Sequence, residues 1–219
     1  MASYRICLLP GDGIGPEVIA EAERLLKALP LQAEFETADI GFGAYQKHGS
    51  PLPDSTLETI RRCDATLFGA VTTPPNIPGY FSPIIRLRKT FDLYANLRPC
   101  RSFPHPSSRP GIDMLIVREN TEDLYMGVEH VEDGGNRAIS EMIITRRGSE
   151  RIIRKAFDLA RQTGRKKVTV VHKANVLRET CGLFRKVALE IAPLYADIQM
   201  EEMLVDTCAM ELVRAPEQF

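Results

Sequence analysis

Apolar residues in this chain fall into short runs, punctuated by glycine and proline, that alternate between two periods. Residues 4–9 form a compact apolar run halted by Pro10 and the glycines after it, which predicts a buried strand. The turn GDGIGPE follows, with Pro16 suited to the first position of a helix. Val18, Ala22, Leu25, Leu26 and Leu29 then recur at helical spacing and predict an amphipathic helix that stops near Pro30. Ala33, Phe35 and Thr37 alternate as a second strand. Ser55 and Glu58 stand at capping-box spacing and predict a short helix through Ile60, and residues 65–70 read as a third strand. Strand, helix, strand, helix, strand is the pattern of an α/β layered domain.

Residues 72–83, rich in proline and glycine, predict a loop, and residues 84–90 a short helix leading to the segment 93–98. Prolines and serines crowd residues 99–110, which predicts a crossing between two domains, 1–99 and 100–219. DMLIV (residues 113–117) is another buried strand. RENTEDLY leaves its end, where α/β proteins often place binding residues. Residues 128–144 alternate around Gly134 and Gly135 and predict an exposed β-arm, for which a homodimer would supply a partner strand. Ser149 is the expected cap of a helix that turns Ile152, Ala156, Leu159 and Ala160 inward and ends at Gly164. A strand at residues 168–171 runs into HKANV. A helix marked by Leu183, Phe184, Val187, Ala188 and Ile191 comes next, then a short strand at 198–200 and a last helix in VDTCAMELVR.

Composition narrows the class. At 44% hydrophobic and 26% charged residues the 219-residue chain is typical of a soluble globular protein. A formal net charge of -1 supplies no global field for nucleic acid or membrane, so any anion recognition must be local. Five cysteines without a CxxC pair fit a reducing compartment, and no apolar run suits a signal peptide or a membrane span. The expectation is a cytoplasmic protein.

The candidate chemistry centres on Arg88, Arg98 and Arg118 beside Tyr125. A guanidinium offers a rigid fork that fits a carboxylate two bonds at a time, so three forks suggest a pocket for a small polycarboxylate. Three solvated arginines between short strands are the alternative, and composition alone favours it. GDGIGPE is not the GxGxxG fingerprint, because its third glycine comes one place early. Lys173 and Asn175 directly follow a buried strand, where partial desolvation would suit a lysine to proton transfer, although a surface lysine opening a loop is the commoner case. Asp206 near a helix start has capping as its default role. Cys181 and Cys208 read best as buried structural residues.

The order of these segments is distinctive. GDGIGPE, LRKTFDLYANLRP, RENTEDLYMGVEH, HKANV and VDTCAM together resemble the β-decarboxylating dehydrogenase family, across the whole chain. Within it, RENTEDLY and LFGAVTTPPNIPGYFSPI look most like homoisocitrate dehydrogenases, and LRKTFDLYANLRPC is similar to NAD-dependent isocitrate dehydrogenases. The resemblance implies the isopropylmalate/isocitrate dehydrogenase-like fold: two α/β domains sharing a central mixed sheet, with a β-arm for dimerisation. It implies NAD and Mg²⁺ or Mn²⁺ as cofactors, and oxidative decarboxylation of homoisocitrate in lysine biosynthesis by the α-aminoadipate route. Isocitrate or 3-isopropylmalate are the alternative substrates.

By the same resemblance, Arg88, Arg98 and Arg118 hold the substrate's carboxylates, and Tyr125 protonates the enol left by decarboxylation. Lys173 helps remove the hydroxyl proton, and Asp206 is the first of three metal-binding aspartates; both are donated across a homodimer (or dimer of dimers) with shared sites. Thr72, Thr73 and Asn175 would lie near the nicotinamide, and Ser82 and Ile85 near the variable part of the substrate. Arg86 is expected to reach a distal carboxylate. Family members continue with an NxxGDxxSD pattern and an HGSAPDIAGK-like loop, neither of which occurs in these 219 residues. The expectation is therefore that this chain alone is inactive and poorly stable; a regulatory subunit of the same fold is the rival reading.

Overall fold

A computed structural model describes residues 3–74, 77 and 80–219. The chain divides into two compact units, Met1–Phe91 and Asp92–Phe219.

The first unit runs β1 (Tyr4–Gly11), α1 (Gly15–Ala28), β2 (Ala33–Thr37), α2 (Phe42–His48), α3 (Asp54–Arg62), β3 (Ala65–Ala70) and α4 (Pro83–Thr90). Its sheet is parallel, in the order β2-β1-β3. Central β1 buries both faces, Ile6 and Leu8 against Ile19 on one side, Cys7 and Leu9 against Leu52, Leu57 and Leu87 on the other. That two-sided burial is why its sequence is a continuous apolar run rather than an alternation.

Three local expectations shift. Helix α1 turns Gly15 and Ile19 inward and half-buries Ala22 and Leu26, while Val18, Leu25 and Leu29 of the predicted stripe stay exposed. Ser55 caps nothing: α3 begins at Asp54 after Pro53, so Ser55 already lies in the first turn. Helix α2 gave no apolar period; it is only seven residues long, set off by Gly41 and Gly49 at φ 94° and 72°. The described part of the predicted loop after β3 carries no helix or strand before α4, and residues 75, 76, 78 and 79 lie outside the described residues.

The second unit pairs β4 (Ala95–Arg101) with β5 (Asp113–Glu119), and β6 (Glu129–Glu132) with β7 (Arg137–Ser140), both antiparallel. Then come α5 (Arg146–Gln162), β8 (Lys167–His172), α6 (Thr180–Ile191), β9 (Gln199–Leu204) parallel to β8, and α7 (Val205–Arg214). The core gathers Ile152, Ile153 and Phe157 of α5, Val170 of β8, Val187 and Ile191 of α6, and Tyr195. Among the described residues parallel and antiparallel pairing both occur, in four sheets, as the mixed α/β fold requires.

The proline- and serine-rich stretch 99–110 does not join the two units. It closes β4 and connects it to β5, and its Arg109 donates to the carbonyls of Val213 (2.8 Å) and Arg214 (2.7 Å), satisfying acceptors at the end of α7. The cap of α5 is Thr145, whose hydroxyl accepts from the Gly148 N–H at 3.0 Å; Ser149 is a buried residue of the first turn and donates to the Thr145 carbonyl at 2.8 Å. A Cβ on Gly148 would come within 2.3 Å of the Glu122 carboxylate, which would have to move aside and off Thr145. Among the described residues no helix is long and apolar enough to cross a membrane.

Candidate functional site

Register brings two of the three arginines together. Arg98 pairs with Ile116 and Asn96 with Arg118 across the β4–β5 ladder. Residues directly opposite share a face, as do residues two apart, so Arg98 and Arg118 project from the same face as diagonal neighbours. Arg98 donates from Nε to Asn96 Oδ1 at 3.0 Å. Arg118 donates from Nη2 to the Tyr125 hydroxyl at 2.9 Å, and its guanidinium stands 5.3 Å from the centre of that ring. Tyr125 is carried on a 3₁₀ turn, Asp123–Met126, closed by Gly127 at φ 71°.

Among the described residues neither arginine forms an ion pair with a carboxylate, whereas Arg146, Arg161, Arg165 and Arg185 each do. Two guanidinium groups without a carboxylate partner on one face are chemically suited to fork an anion. The phenol complements them. Its oxygen accepts from Arg118, which leaves the O–H proton free to be given to something else.

The segment bearing this cluster is fixed from behind by residues that pattern reading missed. Arg151 of α5 donates to Asp92 (2.8 and 2.9 Å), to Thr121 Oγ1 (2.8 Å) and to Glu119 (3.4 Å), with its guanidinium 4.4 Å from the Tyr94 ring centre. The Glu119 carboxylate also accepts from the N–H groups of Thr121 and Glu122, each at 2.8 Å. Glu122 accepts from the Thr145 N–H at 2.9 Å. RENTE is thus one polar knot between β5 and α5. Its only sequence signal was the density of charged and hydroxyl residues.

Lys173 and Asp206 meet for a topological reason. β8 and β9 are parallel with His172 opposite Leu204, so the residues just after them share the carboxyl end of the pair. There Lys173 Nζ lies 2.5 Å from Asp206 Oδ1. The Lys173 ammonium beside it holds the Asp206 carboxyl below its ordinary range. Lys173 is half-buried and ion-paired, not isolated in an apolar pocket. Asn175 lies exposed on the turn after it, and buried His172 accepts from the Ala174 N–H at 3.2 Å, which shapes that turn. No hydrogen bond or ion pair among the described residues links the lysine–aspartate pair to the arginine–tyrosine cluster.

In the first unit the unforeseen residue is Asp12 of GDGIGPE. Its carboxylate accepts from the N–H groups of Phe42 (2.7 Å), Gly43 (2.8 Å) and Thr72 (2.9 Å). It thereby joins the first turn, the start of α2 and the loop after β3. The Thr72 carbonyl accepts from the Tyr80 hydroxyl at 2.9 Å, and burial pushes that phenol's pKa up. Thr72 is clamped at both backbone groups, with Thr73 exposed beside it. On α4, Leu87 is buried; helical periodicity sets Ile85 on the opposite face, with Arg86 and Arg88 to either side and Ser82 at the cap position. Arg86 lies 4.9 Å from the Phe81 ring centre, and Arg88 has no ion pair among the described residues.

A hard dication takes six or more oxygen ligands. Among the described residues no three His, Cys, Asp or Glu side chains converge to hold one. Asp206 offers one carboxylate, so the residues present supply a single ligand and not a site.

The chain thus folds as two α/β units, the second of which carries the Arg98, Arg118 and Tyr125 face. The model of the isocitrate/isopropylmalate dehydrogenase family matches residues 5–219, and the chain belongs to that family. It is 47% identical over 218 residues to the isocitrate/homoisocitrate dehydrogenase of Thermus thermophilus, covering 99% of this chain and 65% of that one. It is 45% identical to the 3-isopropylmalate dehydrogenase of Archaeoglobus fulgidus, covering 98% and 64%. Among solved structures, the isocitrate dehydrogenase of Methylococcus capsulatus superposes with a TM-score of 0.92 at 44% identity, over 99% of this chain and 65% of that one. The chain therefore spans just under two thirds of the length of the relatives it matches.

Proposed function

We propose that this chain carries the substrate grip and the proton donor of an NAD(P)-linked dehydrogenase that oxidatively decarboxylates a 2-hydroxy acid of the isocitrate/isopropylmalate class. The observation that carries the reading is the pair of guanidinium groups without counter-ions, Arg98 and Arg118, with the Arg118 fork on the Tyr125 oxygen. A bound carboxylate would meet two donors that no protein carboxylate competes for. Tyr125, its proton unengaged by Arg118, would protonate the carbon left when CO₂ departs. Lys173 would take part in removing the hydroxyl proton, and Asp206 would contribute one oxygen to Mg²⁺ or Mn²⁺. The same reading assigns substrate contacts to Ser82, Ile85, Arg86 and Arg88, and nicotinamide contacts to Thr72, Thr73 and Asn175.

Homoisocitrate is the substrate this reading favours, with NAD as acceptor and lysine biosynthesis by the α-aminoadipate route as the setting. In support stand the Thermus relative's name and the exposed cation of Arg86, suited to a carboxylate on a longer arm. The exposed β6–β7 ribbon suits a homodimer whose partner shares the Lys173–Asp206 end. The test is a panel of homoisocitrate, isocitrate and 3-isopropylmalate with NAD or NADP and Mg²⁺, on the protein encoded by the whole gene. The reading predicts reduced nicotinamide and CO₂ in equal amounts with at least one substrate, homoisocitrate best. No turnover of any of the three would refute it.

A further inference from the structure

His172 is a buried titratable group to which the proposed reaction gives no task. It ends β8, directly before Lys173, and its side chain is only 7% exposed. Burial removes water as a partner, so each ring nitrogen must be matched by the protein as a donor or an acceptor. Nδ1 stands 3.2 Å from the N–H of Ala174, two residues further on. A backbone N–H can only donate, so Nδ1 carries a lone pair and no proton. The ring is therefore neutral, with its proton on Nε2.

The other side of the ring agrees. Nε2 lies 3.4 Å from Glu202 Oε1 on β9, and a carboxylate oxygen accepts. Arg185 of α6 keeps that carboxylate charged: its Nε is 2.6 Å from the same oxygen and its Nη2 is 3.0 Å from the other. The Glu202 carboxyl is accordingly held below its ordinary range, by the Arg185 guanidinium first. Partners on two sides thus select one tautomer, the one that leaves Nδ1 to the backbone.

What Nδ1 holds is the turn that carries Lys173. The Lys173 carbonyl accepts from the N–H groups of Val176 (3.1 Å) and Leu177 (2.8 Å). The bond from the Ala174 N–H to the His172 ring spans Lys173 from the other side. Asn and Asp side chains close turns in the same way, by accepting from the N–H two residues on. With its backbone held on both sides, Lys173 starts from one fixed direction and its Nζ reaches Asp206.

We propose that His172 is a positioning residue for Lys173: as the Nε2-protonated tautomer it accepts the Ala174 N–H and so aims the lysine at the reacting hydroxyl. The proposal rests on the reading of Lys173 as a group that takes part in removing the hydroxyl proton, and it adds the residue that orients it.

The test uses two amides of different reach in the protein encoded by the whole gene. His172→Asn puts an oxygen where Nδ1 stands and keeps an acceptor for the Ala174 N–H; His172→Gln puts its amide where Nε2 stands and loses it. His172→Phe keeps a ring and no acceptor, and the cavity of about 170 Å³ bordered by His172, Ser149, Ile152 and Phe184 has room for the larger phenyl. His172→Gln and His172→Phe should lower kcat roughly tenfold to a hundredfold, as for a reacting group displaced by about 1 Å, with KM changed only a few-fold. His172→Asn should restore most of that loss. Two readouts need no turnover. Nitrogen NMR of the wild-type imidazole should show a bare Nδ1 and a protonated Nε2, and the Ala174 amide should exchange faster in the Gln and Phe variants than in the wild type or the Asn variant. Equal kcat for the Asn and Gln variants, a proton on Nδ1, or an Ala174 amide indifferent to His172→Phe would overturn the proposal. Wild-type kcat in Lys173→Ala would instead remove Lys173 from the reaction, a failure of the proposed function that the tautomer and the Ala174 amide do not share.

Discussion

Arg118 donates to the Tyr125 oxygen at 2.9 Å, and in the proposed function the same side chain offers its fork to a substrate carboxylate. Lysine at this position keeps the charge but loses the planar fork. With charged hydrogen bonds contributing about 1.5–3 kcal/mol, Arg118→Lys should lower kcat/KM roughly tenfold to a hundredfold; steady-state kinetics on the preferred substrate would show it, and an unchanged value would deny Arg118 any contact with substrate. Arg86 sits 4.9 Å from the Phe81 ring, at the edge of the α4 face that carries Ile85. If it holds a distal carboxylate, Arg86→Ala should cut homoisocitrate turnover far more than isopropylmalate turnover. Equal losses would remove it from substrate choice.

Element by element, what the sequence shows best is what burial writes into it. β1 was legible because a strand buried on both faces leaves an apolar run. β3, β5 and β8 show such runs too, although in the structure no residue of β3, only Met114 of β5, and only Val170 and His172 of β8 are buried. α5 and α6 were legible because each hides a helical stripe. α2 was not legible: with one buried residue, Ala44, it carries no stripe. Caps were misplaced because hydroxyl residues cluster near helix starts and only geometry says which one is outside the helix. Thr145 lies four residues before Ser149, and the N–H it caps belongs to Gly148. Thr145→Ala should therefore destabilise the chain by about 1 kcal/mol, and Ser149→Ala by less; denaturant titration of both would compare them. The candidate site divided the same way. Arg98, Arg118, Tyr125, Lys173 and Asp206 became candidates through the order of their segments, each being ambiguous alone. Asp12 and Arg151 did not, since each acts on backbone or side chains far away in sequence. Asp12→Ala would strand three N–H groups at the junction of β1, α2 and the Thr72 loop. Gly43 and Thr72 are exposed and water can replace the carboxylate there, so the expected cost is about 1–3 kcal/mol, from the part-buried Phe42 N–H, read as a lower thermal midpoint.

Across the whole molecule, paired carboxylates set the acid limit. Asp113 is held below its usual range by Arg165, Glu190 by Arg146, Asp197 by Arg161 and Asp206 by Lys173. A depressed folded-state pKa contributes stability that is present above the unfolded value, about 4 for a carboxylate, and is lost as pH falls through the folded value. The thermal midpoint should stay nearly level between about pH 7 and 5 and fall below about pH 4. These groups are exposed, so added salt should flatten that fall. The central claim, however, is that the face bearing Arg98, Arg118 and Tyr125 grips a polycarboxylate and returns a proton to it. The most direct test is the kinetics of Tyr125→Phe in the protein encoded by the whole gene, on its preferred substrate. Loss of the proton donor should lower kcat by about 10²–10⁴-fold with KM changed only a few-fold, because the arginines remain. A variant that keeps wild-type kcat, or loses only affinity, would contradict the account.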